Sequence, residues 1–267
     1  MAATILDQLA EHARRRVAEA RELRPPVAVR EAAEALAAEG ARDFPFERAL
    51  KKPGVSFICE CKRASPSMGL IAPDFPCLDI ARDYEAAGAD ALSILTEPKW
   101  FLGNDEYLRE AAAAVSLPCL RKDFTVDEYM IYEAKLLGAA AVLLICSLLD
   151  RDTMKRYIET ADSLGLSALV EAHDEAEMEA ALAAGARIVG VNNRNLKDFT
   201  VDVGNSRRLR ELAPPSVLFV AESGISTAKE VEALREAGVD AVLVGTALMT
   251  APDRRRALAQ LKGASIQ

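Results

Sequence analysis

The sequence predicts an α/β fold, a (β/α)8 barrel, and three observations carry the prediction. First, Ala87-Gly88-Ala89, Leu137-Gly138-Ala139, Leu164-Gly165-Leu166, Ala184-Gly185-Ala186 and Ala237-Gly238-Val239 each close a helix-like stretch and precede a short apolar run. A glycine just past a helix is a common left-handed cap, and the run after it reads as a strand. Second, the chain holds eight such runs, apolar on both faces, as parallel strands buried beneath helices should be. Third, successive runs end about 20 to 35 residues apart, room for one helix and two loops per unit. A doubly wound open sheet also alternates strands and helices, but no Gly-x-Gly-x-x-Gly follows the first run.

Taken in order, the chain opens with a segment outside the repeat. Ile5 to Glu22 has helical spacing, with Leu6, Leu9, Ala13 and Val17 on one side. Arg24-Pro-Pro26 breaks it, and an Ala-rich helix resumes over Val29 to Glu39 before Phe44-Pro-Phe46. Residues 1–50 are therefore expected to be a helical extension packed on the barrel, within a single domain spanning 1–267. The strands are expected at Val55–Lys62, Ala91–Thr96, Pro118–Lys122, Ala141–Cys146, Ala168–Glu171, Ile188–Asn192, Val217–Ala221 and Ala241–Gly245. In the first, Ile58, Glu60 and Lys62 share one face, and Phe57, Cys59 and Cys61 the other.

Composition narrows the function. A chain of 267 residues, half of them apolar, can bury one large core. A net charge of −8 gives no general footprint for nucleic acid. Arg207-Arg208 and Arg254-Arg255-Arg256 read as solvated helix faces. No signal peptide or uncharged apolar run of about 20 residues appears, so neither membrane nor export is expected. The five cysteines, 59, 61, 77, 119 and 146, read as small core residues of a cytoplasmic protein. Of the two histidines, His12 reads as structural or solvated, and His173, just beyond Glu171, could reach the site mouth but is not counted in the site. No cluster has metal-ligand spacing, so no metal is expected and the chemistry falls to Lys, Glu, Asn, Ser and Arg.

The C-terminal strand ends of a barrel converge on one mouth. They deliver Glu60 and Lys62, Lys122, Glu171, Asn192 with Arg194, and Glu222. One charged residue leaving a strand for solvent is ordinary; a polar residue at nearly every strand end is not. Two lysines and three glutamates would form an alternating network able to shift pKa values both ways. Ser223-Gly224 and Gly245-Thr246 follow the last two strands, where barrels often hold a phosphate on backbone N–H groups. A short helix starting near Thr246 would add its dipole.

The motifs Glu60-Cys-Lys-Arg-Ala-Ser-Pro-Ser67, Lys122-Asp-Phe124, Val170-Glu171, Asn192-Asn-Arg194, Glu222-Ser-Gly-Ile225 and Gly245-Thr-Ala-Leu-Met249 together resemble the indole-3-glycerol phosphate synthase family of tryptophan biosynthesis. The likeness runs over nearly the whole chain and implies a TIM barrel. Met68 stands where a basic residue is frequent in that family, and Asn195 where Asp is frequent. The chain ends about one helix after the last strand, so no fused second enzyme is expected.

The resemblance implies a phosphorylated small-molecule substrate, 1-(2-carboxyphenylamino)-1-deoxyribulose 5-phosphate. It implies ring closure, decarboxylation and dehydration to indole-3-glycerol phosphate, carbon dioxide and water. It casts Lys122 as general acid and Glu171 as general base. Lys62 would hold the substrate carboxylate or share the acid role. Glu60 would orient the lysines, and Asn192, Arg194 and Glu222 would position the intermediate. Ser65, Ser223, Gly224, Gly245 and Thr246 become candidates for phosphate and nearby hydroxyls, and Phe124, Leu95, Leu196 and Leu243 for the anthranilate wall. No electrons move, so no cofactor is expected. The chain is expected to be a monomer or weak homodimer. Two other classes compete: a Schiff-base aldolase using Lys62 or Lys122 as nucleophile, and a non-catalytic phosphosugar-binding barrel.

Overall fold

A computed structural model describes residues 4–40, 42–195 and 199–264. Eight parallel strands close on themselves. They are β1 (Ser56–Cys61), β4 (Ala91–Leu95), β5 (Cys119–Lys122), β6 (Ala141–Ile145), β7 (Ser167–Ala172), β8 (Ile188–Asn192), β9 (Leu218–Glu222) and β10 (Ala241–Val244), with β1 paired to both β4 and β10. Each expected strand is present, its ends within one residue of the sequence reading. The barrel loop after β1 carries a small antiparallel hairpin, β2 (Ala64–Ser65) and β3 (Gly69–Leu70). The five glycines read as helix caps have φ between 72° and 91°, the left-handed region a residue with Cβ avoids.

The two faces of each strand sort as alternation demands. Ile58, Leu120, Leu143, Leu169, Ile188, Val220 and Leu243 fill the barrel interior. Phe57, Leu92, Ile94, Val142, Leu144, Val170, Val189, Phe219 and Val242 face the surrounding helices. All five cysteines are free, buried and in this outer layer, so they are packing residues, as expected.

The extension forms α1 (Ile5–Leu23), α2 (Pro26–Glu39) and the short α3 (Pro45–Leu50). Thr4 and Asp7 close a capping box at the start of α1, and Leu9, Ala13 and Val17 are buried, the stripe read from spacing. Helix α2 starts three residues earlier than expected. Pro26 does break α1, but it then serves as the first residue of α2, where its fixed φ suits the first turn and its missing N–H is no loss. Helix α3 closes the N-terminal end of the barrel. Phe46 and Leu50 join the interior cluster, Ser56 Oγ donates to Ala49 O at 3.3 Å, and Glu47 accepts from Arg187 at 2.9 Å.

Helix α1 lies at the other end. Arg16 donates to both oxygens of Asp123 at 2.6 and 3.0 Å, just past β5. Arg21 pairs with Asp127 at 2.7 Å, and the Tyr129 hydroxyl donates to Ala20 O at 3.3 Å. The extension is thus pinned to the mouth where the strands deliver their polar residues.

Candidate active site

The mouth encloses a cavity of about 380 Å³. It is lined by Glu60, Lys62, Ser65, Leu95, Lys122, Phe124, Glu171, Asn192, Arg194, Glu222, Ser223, Gly224, Leu243, Gly245 and Thr246. Every expected site residue is there except Leu196, which lies outside the described residues.

Two ion-paired groups form its floor. Lys62 Nζ lies 2.6 Å from Glu60 Oε1, and Glu60 Oε2 accepts from Ser93 Oγ at 3.3 Å. Glu60 Oε1 and Lys62 Nζ lie so close to the Gly245 backbone that a Cβ there would strike both. Gly245 is therefore small because the pair passes over it, a reason the sequence does not disclose. Gly190 on β8 stands in the same relation to Glu222 Oε1.

The second group centres on Lys122. Its Nζ lies 3.6 Å from Glu171 Oε2 and 3.9 Å from Glu222 Oε2. Asn192 Nδ2 donates to Glu171 Oε1 at 3.3 Å, while Asn192 Oδ1 accepts from the Arg194 N–H at 3.0 Å. Arg194 also donates to Phe199 O at 3.1 Å, bracing the loop after β8. Three carboxyls share this floor with two ammonium groups, and Glu222 is the one whose surroundings most disfavour the charge. Burial pushes that carboxyl up, and the Glu171 charge adds to it, giving a pKa of about 8. Burial opposes the Lys122 cation, yet Glu171, Glu222 and Glu60 outweigh it and hold Lys122 above the ordinary lysine value. Burial likewise opposes ionisation of Glu60, but Lys62 and Lys122 hold it below the ordinary glutamate value.

Apolar residues wall the cavity beside these groups: Leu95, Phe124 and Leu243 as expected, with Phe101, Leu143 and Ile145. Phe101 and Phe124 pack with ring centroids 6.0 Å apart. Helix α1 contributes Ile5, Leu6 and Leu9 to the same cavity. At the opposite rim, Ser223 has φ +67° and Gly224 φ +77°; a non-glycine residue held left-handed is strained, and such strain gathers at functional sites. Gly245 caps a one-turn helix over Thr246–Met249, which begins where the sequence places it.

Two supporting carboxylates do not stand out in the sequence. Asp123 is buried and accepts from Arg16, from Thr96 Oγ1 at 2.6 Å and from the Phe124 N–H at 2.8 Å, setting the turn after Lys122. Burial opposes its charge, and Arg16 and Arg121 overcome this, so its pKa falls below the ordinary aspartate value. Glu97, wholly buried, accepts backbone N–H groups of Lys99, Trp100 and Phe101 at 2.8–3.0 Å and meets His12 Nδ1 at 3.1 Å. It shapes the loop that presents Phe101, and it gives His12 a structural role. Each lies one or two residues past a strand, Asp123 inside the Lys122-Asp-Phe124 motif, and neither position discloses its partners.

The model of the family described as indole-3-glycerol phosphate synthase matches residues 6–261. An indole-3-glycerol phosphate synthase of Ruminiclostridium cellulolyticum is 60% identical over 222 residues, covering 83% of this chain and 85% of that protein. One from Lactiplantibacillus plantarum is 48% identical over 261 residues, covering 97% and 98%. Among solved structures, a 3-hexulose-6-phosphate synthase superposes with a TM-score of 0.65 at 17% identity, covering 78% of this chain and 99% of that one. A tryptophan synthase alpha-subunit from Pyrococcus furiosus gives 0.59 at 15% identity, covering 78% and 98%. Likeness at such identities speaks for the barrel alone; the family match and the close relatives say more. The chain belongs to the indole-3-glycerol phosphate synthase family, carboxy-lyases of tryptophan biosynthesis.

Proposed function

We propose that the mouth of this barrel converts 1-(2-carboxyphenylamino)-1-deoxyribulose 5-phosphate to indole-3-glycerol phosphate, carbon dioxide and water, with Lys122 as general acid and Glu171 as general base. The observation that carries the assignment is Lys122, held cationic between Glu171 at 3.6 Å and Glu222 at 3.9 Å above an apolar slot. An acid must be protonated before it acts, and the charges of Glu171 and Glu60 keep Lys122 so.

As the aromatic carbon attacks the ketone, Lys122 gives the ketone oxygen a proton. Loss of carbon dioxide returns the bonding pair to the ring. The new hydroxyl leaves as water with a further proton, and Glu171 removes the proton whose loss completes the indole. Glu222, protonated near neutral pH, can donate a hydrogen bond to an intermediate hydroxyl, which an ionised carboxylate cannot do. Glu60 fixes Lys62 toward the substrate carboxylate. Asn192 and Arg194 hold Glu171 and the loop beside it. Leu95, Phe124 and Leu243 take the anthranilate ring. Ser65, Ser223, Gly224, Gly245 and Thr246 receive the phosphate end, supported by their shared place in the cavity lining and the left-handed backbone at 223–224.

Residues 1–50 belong to the same working unit, since α1 walls the cavity with Ile5, Leu6 and Leu9. A cytoplasmic setting accords with five unpaired thiols. Among the described helices, none is long and apolar enough to cross a membrane.

The deciding experiment incubates pure protein with the anilino-ribulose phosphate and follows indole fluorescence. Turnover in the parent and its loss in Lys122→Ala are expected. No indole from the parent would reject the reading, and a borohydride-trapped adduct with a ketose phosphate would favour an aldolase.

A further inference from the structure

The carboxylate read as general base is the end of a longer chain of titratable groups. His173 Nε2 lies 3.5 Å from Glu171 Oε1. On the other side of the ring, Nδ1 lies 3.0 Å from Glu177 Oε2, which also accepts the His173 backbone N–H at 2.8 Å. One carboxylate thus grips both ring and main chain. Asn205 Nδ2 donates to His173 O at 3.0 Å and holds the residue from a third direction. Nε2 is buried and makes no hydrogen bond; its approach to Glu171 is an ion-pair contact.

His173 and Glu177 line a second cavity of about 440 Å³, separated from the first by Asn192 and Arg194, which wall both. Glu171 faces only the first. Lys122 lies at nearly equal distances from Glu171 and Glu222 and so serves both. Of these two carboxyls, His173 pairs with Glu171 alone.

We propose that His173, clamped by Glu177, is a positioning residue that selects Glu171 as the base: its imidazolium pairs with Glu171 and not with Glu222, and aims that carboxylate into the cavity. This rests on reading Glu171 as the general base. The charged groups around the ring are Glu171 and Glu222 on the barrel side and Glu177 and Asp174 on its own turn. Arg194, Arg208 and Asp202 lie across the second cavity. Burial works against the imidazolium, but Glu177, Glu171 and Glu222 outweigh it and raise the pKa above that of ordinary imidazole.

The chain has two histidines, so the His173 ring signal can be followed by NMR and assigned with a His12→Gln sample. In the parent its midpoint should lie above about 6.5, and in Glu171→Gln it should fall by about one pH unit or more, since coupling between two charges is reciprocal. In His173→Gln the acid limb of kcat/KM should move up by about one pH unit, with KM changed less than about threefold. Glu177→Gln should move the limb the same way by less, and it serves if His173→Gln does not fold. An unmoved midpoint in Glu171→Gln overturns the proposal. So does a uniform loss of activity with an unmoved limb, or a limb unmoved in both His173→Gln and Glu177→Gln. If Glu171→Gln retains turnover, the base assignment itself fails; if it is inactive while the His173 midpoint stays put, only the role of His173 fails.

Discussion

Glu222→Gln should make the protein more stable in mild alkali while slowing it. The folded chain raises this carboxyl from 4.5 to about 8, chiefly by burial and then by the Glu171 charge. Between those values the folded state holds a proton that the unfolded state has released. Stability therefore falls as pH rises through this window, by about 1.4 kcal/mol for each pH unit crossed, or on the order of 3–5 kcal/mol by pH 8. Glutamine keeps the shape and cannot ionise, so the variant should escape that loss. Near pH 5 the two proteins should match; at pH 8.5 the variant should lead by roughly 3 kcal/mol. Its kcat/KM should drop by about tenfold to a hundredfold, the worth of one hydrogen bond to a buried group. Urea unfolding followed through the single tryptophan, Trp100, at several pH values gives the comparison, and titrating groups remote from Glu222 cancel between the two proteins. Parallel stability–pH curves would show that Glu222 titrates as an ordinary carboxylate and would refute the charge argument.

Three further outcomes are expected. Lys122→Ala should cut turnover by about 10²–10⁴-fold with a far smaller change in substrate affinity; a variant keeping half its turnover would remove Lys122 from the acid role. Gly245→Ala should displace the Glu60–Lys62 pair rather than unfold the barrel, since the obstructing atoms are side-chain ends; activity should fall at least about tenfold with the melting temperature within about 3 °C, and crystals showing the pair unmoved would contradict this. Arg16→Ala leaves the buried Asp123 carboxylate without its bidentate partner and should lower stability by about 3 kcal/mol and raise KM, measured by urea unfolding and steady-state kinetics. Because Asp123 is depressed, its contribution is present above about pH 4 and is lost as pH falls below that, so the parent and variant should converge in acid.

The barrel is legible because its signals are local. Alternation along Ile58-Cys59-Glu60-Cys61 and the glycines after each helix are properties of a few neighbouring residues, and they survive without tertiary context. Glu60, Lys122, Glu171 and Glu222 are legible for the same reason, each being the polar end of an apolar run. What stays hidden depends on long-range approach. Glu97 looks like any loop acid until the chain wraps three N–H groups around it. Asp123 reads as part of a motif, and only the return of α1 reveals its partner 107 residues away. His173 looks incidental in the sequence because its meaning lies in Glu177 at one nitrogen and Glu171 at the other. Gly245 suggests phosphate, although its own backbone also bounds the Glu60–Lys62 pair. Pro26 reads as a stop, and one helix's stop is here the next one's start.

The grip of Arg16 on Asp123 also sets a timetable for synthesis. Helix α1 leaves the ribosome well before its partner, which is made 107 residues later. At about 5–20 residues per second, this is a wait of roughly 5–20 s. Throughout that interval the stripe Leu9, Ala13 and Val17 has no barrel mouth to cover it. With its apolar stripe uncovered for those seconds the nascent segment is adhesive, the kind of surface chaperones shield. The mouth is thus assembled backwards: residues translated before the barrel strands must wait for them to take their places, and a pause in translation before β5 would prolong the exposure of the segment that later walls the cavity.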